Sequence, residues 1–152
     1  MSGVRVMQGP KTYNVQECIM ANSAHLDPDD FVIINSSGFL NKPAAGDKIQ
    51  GFFMGAATDA TADNQTVGLV KVKYCPVDQN TVFELTADQA CTQTDLGAYA
   101  DIIVSTNAIT CNLAAGSSGQ LEVIDFDPNR DGTTTLVRCV IAEPEALAFA
   151  QA

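Results

Sequence analysis

Residues 67–74, VGLVKVKY, alternate apolar and charged side chains. In an extended chain Val70, Val72 and Tyr74 point one way and Lys71 and Lys73 the other. That is the pattern of a half-buried antiparallel strand. The same reading extends upstream. DDFVIINSSGFL, residues 29–40, reads as a β-branched and aromatic strand, a Ser-Ser-Gly turn and a return strand. NKPAAGDKIQGFFMG, residues 41–55, adds a Pro-to-Asp turn and another strand. TDATADNQT, 58–66, is a polar loop without an apolar anchor. Several short strands within about 50 residues predict a small barrel or sandwich.

Downstream, NTVFELTA (80–87), AITCNL (108–113), LEVIDF (121–126) and TTTLVRCVIAE (133–143) read as further strands, the last two as a hairpin. The segment 94–100 has Thr and Asp as helix caps but carries Gly97, and it is assigned one short helix. The expected fold class is all-β with minor α: small β-barrel or β-sandwich halves packed together. Residues 1–24 lack a clean period and are read as an extended N-terminal arm that orders only against a neighbour. The expected units are the arm 1–24, a barrel-like half 25–75, a second β-rich half 76–145 bounded by Pro76, and a tail 146–152.

The chain has 152 residues and a formal net charge of −10. Residues 1–75 carry six basic side chains against seven acids, whereas 76–152 carry two against eleven. So acidic a second half disfavours nucleic acid and anionic membranes as partners and leaves the first half as the better docking face. No stretch approaches the ~18 apolar residues of a bilayer span, and the N-terminus has no apolar leader run. Five widely spaced cysteines without a CxxC are read as reduced core or near-core thiols. With one histidine and no close ligand pairs, zinc is not expected.

VIDFDPNRDG, 123–132, contains D-x-N-x-D-G at Asp127, Asn129 and Asp131, the first half of a calcium-loop pattern. Arg138 stands where that pattern needs a bidentate Glu, so the stretch is read as a hairpin turn. These three residues are the metal candidates, and no metal or other cofactor is expected. AAGSSG, 114–119, is similar to the phosphate-holding Arg-Ser-Ser-Gly motif of trimeric dUTP pyrophosphatases. Here Gly116 replaces the Arg. His25 has no nucleophile pattern beside it. Without paired carboxylates, a nucleophile elbow or a phosphate loop, the sequence favours a structural or binding protein over an enzyme.

The run DDFVIINSSGFLNKPAAGDKIQGFFMGAATDA (29–60), followed by TVFELTAD, TDLGAYADIIV and GQLEVIDFDPNRDGTTTLVRCVIAE, resembles the capsid decoration, or cement, proteins of tailed bacteriophages. The resemblance covers roughly residues 29–143 and rests on strand pattern and turn residues. It implies a homotrimer on the outer surface of a virion capsid, made in the host cytoplasm. Its partner would be the major capsid protein, and it would rivet neighbouring coat subunits. On that reading the arm docks, with Val4, Val6, Tyr13 and Val15 as apolar contacts and Arg5 and Lys11 as charge partners. Lys42, Lys48, Lys71 and Lys73 are second candidates, or simply a solvated face. Removing residues 1–16 would then leave the fold intact. The rival readings are a calcium- or carbohydrate-binding β module on a virion, and a small dUTPase-like trimeric hydrolase.

Overall fold

The computed structural model describes residues 3–78, 80–105, 108–115, 119–126 and 135–142. Among them the chain is mostly antiparallel strand, as the alternation predicts. The larger sheet has the order β1 (Arg5–Gln8), β9 (Val82–Thr86), β13 (Leu136–Ile141), β12 (Leu121–Phe126), β10 (Tyr99–Ser105), β11 (Ala108–Asn112). The smaller has the order β2 (Gln16–Ile19), β8 (Lys71–Pro76), β6 (Gly51–Phe53), β4 (Phe31–Ile34), β5 (Leu40–Asn41). A two-stranded ribbon pairs β3 (His25–Leu26) with β7 (Thr58–Asp59).

Both sheets curl until strands that are not neighbours in their ladders touch. In the larger, Ala87 bridges to Cys111, and Asp88 N donates to Cys111 O at 2.9 Å. In the smaller, Met20 bridges to Leu40, and Ala21 N donates to Leu40 O at 2.8 Å. Curling of this kind shortens the open edges and encloses an apolar interior. Inside the larger sheet lie Phe83, Leu85, Ile102, Ile109, Leu121, Val123, Val137 and Ile141. Inside the smaller lie Met20, Leu26, Val32, Leu40 and Phe53, with Val70, Val72 and Tyr74 packed against them.

The two interiors are joined through the centre of the smaller sheet. Phe31, Phe52 and Cys75 stand side by side across β4, β6 and β8, on the face opposite Val32, Phe53 and Tyr74. They enter the core of the larger sheet instead of facing water. Phe83 meets Phe31 edge-on at a centroid distance of 4.7 Å and Phe52 at 6.2 Å. This double burial explains why FVII and GFF are unbroken apolar runs where a one-sided strand would alternate. Pro76 ends β8 where the chain passes from one sheet toward the other, yet the apolar cluster draws on both sides of it. Gly119 lies flat on β10. A Cβ there would collide with the Ala100 carbonyl, so no other residue fits without shifting backbone.

Three expectations are corrected. Residues 3–24 do not form an arm awaiting a partner: β1 pairs with β9, β2 pairs with β8, and Val4 and Met20 are buried. Both strands are four residues long and edge-placed, with polar residues on either face, so their alternation is too short to read. The helix is not near 94–100, where Gln93–Asp95 makes a single 3-10 turn before β10 begins at Tyr99. It is α1 (Asn64–Val67), reaching one residue beyond the segment read as a polar loop and ended by Gly68 at φ 66°. The strand read over 67–74 therefore starts only at Lys71, and Leu69 is left 78% exposed. The tail 146–152 lies outside the described residues.

Phe83→Ala should cost about 3–5 kcal/mol, because it empties the junction of both interiors. Urea unfolding should show one lowered transition, as both sheets lose the same contact.

Candidate interaction surface

The link between β1 and β2, residues 9–15, carries the chain from the larger sheet to the smaller. It is fixed at several points. Lys11 N donates to Asp78 Oδ2 at 3.0 Å, just past the end of β8. The Tyr13 ring folds back over Gly9, where even a Cβ would collide with its hydroxyl. Upstream, Val6 N on β1 donates to Asp29 Oδ2 at 3.0 Å. Asp29 holds that position with φ at 67°, a left-handed conformation uncommon outside glycine, asparagine and aspartate. The link is thus a strap across the junction, with Lys11 exposed, Tyr13 57% exposed and Val15 45% exposed.

The predicted docking residues divide by burial. Lys11, Tyr13 and Val15 face outward. Val4 is core, and Val6 packs half-buried against the same cluster, so neither is available to a partner. Arg5 reaches out of β1, 64% exposed, and its Nη1 lies 3.4 Å from Glu84 Oε1. Glu84 is 1% exposed, and Arg138 approaches it from the other side at 3.5 Å. Arg5 and Arg138 are register neighbours of Glu84 across β1, β9 and β13, so folding already uses Arg5 to offset a buried carboxylate.

The lysines divide in the same way. Lys42 is 10% exposed, with its Nζ 3.2 Å from Asp30 Oδ2. Asp30 is fully buried, and its Oδ1 has no hydrogen-bond partner among the described residues. Lys42 is therefore a core counter-ion and not a docking cation. Lys48 is exposed at the rim of an open groove of about 350 Å³ that also meets Ile33, Asn35 and Gln50. Lys71 pairs loosely with Glu17 at 3.6 Å on the outer face of β2 and β8, where Lys73 stands in register with Glu17. Met54, 36% exposed, donates its amide to Lys73 O. The strap and the Lys71–Lys73 face therefore flank one another at the β2 edge.

Other groups are structural. Asn64 is buried and plugs the smaller sheet: its side chain donates to Met20 O and Val70 O and accepts from Val70 N. Nothing in TDATADNQT marks it out. All five cysteines are free thiols, and all but Cys18 are buried. A hydrogen bond to Cys111, together with burial, pushes the Cys139 thiol well above its ordinary value. Burial raises Cys91 to about 11, so neither is a ready nucleophile. Among the described residues no group of three His, Cys, Asp or Glu side chains could hold a metal ion. The calcium-loop candidates Asp127, Asn129 and Asp131 lie outside the described residues, as do Ser117 and Ser118 of the Ser-Ser-Gly stretch. Among the described residues no helix is long and apolar enough to cross a membrane.

No protein-family model, curated protein or solved structure matches the chain.

Lys42→Ala should destabilise the fold by about 3–5 kcal/mol by stranding the Asp30 carboxylate. Lys73→Ala, on the surface, should stay within about 0.5 kcal/mol. Denaturant midpoints of the two variants make the comparison, and equal midpoints would contradict the division between core and surface lysines.

Proposed function

We propose that the chain is a structural virion protein. It binds the outer surface of a tailed-phage capsid as a homotrimer and cements neighbouring major capsid subunits, without catalysis or a cofactor. The observation that carries this reading is the strap 9–15. It is anchored at both ends in different sheets, yet it exposes Tyr13 and Val15 beside Lys11 and the Lys71–Lys73 face. An exposed aromatic on a pre-ordered segment binds with little further loss of conformational freedom. Modest contacts of this size suffice when a symmetric oligomer engages several coat subunits together. The charge imbalance supports the same orientation: the near-neutral first half faces the shell, and the acidic second half faces outward, where repulsion keeps crowded copies apart.

The docking group on this reading is Lys11, Tyr13 and Val15, with Lys48, Lys71 and Lys73 as the accompanying cations. Removing residues 1–16 is a poor test, because it also strips β1 from the larger sheet and Val4 from the core.

The Tyr13→Ser, Val15→Ser double variant should retain the wild-type melting temperature. It should bind expanded phage heads roughly tenfold or more weakly in a co-sedimentation assay. Undiminished binding at unchanged stability would remove the strap from the interface. Light scattering of the free protein should give three times 16.0 kDa if the trimer forms before docking.

A further inference from the structure

The two-stranded ribbon has weak apolar support on one side. β3 is well anchored, with Leu26 fully buried. β7 offers only a half-buried Thr58 and an exposed Asp59, and residues 54–57 before it are all exposed. Besides the two ribbon pairs, His25 to Asp59 and Leu26 to Thr58, and the bond from Met54 N to Lys73 O, two backbone hydrogen bonds hold this segment. They run from Ala60 N to Ala24 O at 2.8 Å and from Ser23 N to Thr61 O at 2.9 Å.

Ala60 packs on the smaller core, and His25 adds a side-chain tie. Its Nδ1 lies 2.6 Å from Asp59 Oδ1 and its Nε2 lies 3.1 Å from Asp27 Oδ1. The two carboxylates are not equivalent. Asp27 is buried, and its backbone N donates to Asp30 Oδ2 at 2.8 Å, with Lys42 behind Asp30. Asp59 has an 80% exposed side chain on the loosely held strand. A neutral imidazole carries one N–H and can donate to one carboxylate only; an imidazolium donates to both. A carboxylate beside each ring nitrogen therefore favours the protonated ring.

We propose that His25 is a pH-sensitive clasp: protonated, it ties the exposed jaw Asp59 to the buried jaw Asp27 and holds β7 and residues 54–57 against the smaller sheet. Losing the proton frees one jaw. Among the described residues the charged groups acting on the ring are these two carboxylates, one from the end of its own strand and one from β7. The hydrogen bond that His25 donates to Asp59 leads in holding the proton, burial works against it, and Asp27 adds to the hold, so the imidazole titrates above its ordinary 6.5. A group raised on folding gives its full stabilisation below the unfolded value and loses it as pH climbs through the folded value. The clasp is closed in mild acid and opens toward alkaline pH. The loosened segment includes Met54, whose amide is bonded to Lys73 O. The proposal is independent of the capsid reading.

As the only histidine in the chain, His25 gives one imidazole signal, which NMR titration follows directly. In the wild type its midpoint should lie above 6.5, and Asp59→Asn, at an exposed site, should lower it. Amide exchange of Ala60, corrected for the intrinsic pH dependence and referenced to the Cys75 amide, should quicken across the midpoint. The gain should be about tenfold per unit by which the midpoint exceeds 6.5. In His25→Gln that extra pH dependence should vanish. A midpoint at or below 6.5, a midpoint unmoved in Asp59→Asn, or ribbon exchange that tracks the reference at every pH would each overturn the clasp.

Discussion

The contact of Phe31 and Phe52 with Phe83 is the constraint on which the rest of this molecule depends. Neither curled sheet is large, and small sheets bury little surface on their own. The shortfall is met by sharing. The smaller sheet buries both faces of its central strands, one in its own interior and one in the interior of the larger. An aromatic pair packed edge-on adds about 0.5–1.5 kcal/mol beyond area burial, but its greater effect is geometric. With the two sheets fixed on each other, β1 and β2 are fixed too, one on each sheet. The seven residues between them must span the junction in one conformation. The exposure of Tyr13 and Val15 thus follows from the packing that fixes the two sheets on each other.

How much of this was legible in the sequence depended on how local the cause was. β11 and β13 alternate over five or six residues, and their buried faces are the ones the alternation names, Ile109 with Cys111 among them; β8 follows its alternation only through Tyr74, since Cys75, on the lysine face, is buried in the larger core. The all-β class followed from such strands. β1 and β2 were invisible because their pairing energy comes from β9 and β8, far along the chain. Their own residues, RVMQ and QECI, say little. The short helix was misplaced for a similar reason. Thr92 and Asp95 do cap a turn, with Asp95 Oδ2 accepting from Thr92 N at 2.7 Å, but Gly97 at φ 81° redirects the chain into β10. At 64–67 the local sequence is poor helix, and the turn forms because Asn64 has three backbone partners in the smaller sheet. Tertiary hydrogen bonding outweighed propensity in both directions.

The candidate surface shows the same division. Lys11, Tyr13 and Val15 were read as accessible and are. Val4, Val6 and Lys42 were assigned to a partner that the fold itself supplies: the larger core for the valines, and Asp30 for the lysine. Residue type told what each side chain could bind, but only the topology told which offer was already taken.

Charge deserves the same accounting. A net of −10 describes the chain, not the field a partner meets. Glu84 is consumed between Arg5 and Arg138, Asp30 faces Lys42, Asp29 caps the Val6 amide, and Asp78 takes the Lys11 amide. Folding withdraws both signs from the first half, but unequally in space: cations are used up along β1 and at β5, and they remain exposed on the strap and on β8. A surface that pairs exposed lysines with an exposed tyrosine and valine therefore survives inside a protein that is acidic overall. It lies where the chain crosses from β1 in the larger sheet to β2 in the smaller and has no ladder to join. The crossing that the aromatic junction imposes is what leaves those side chains unused by the fold.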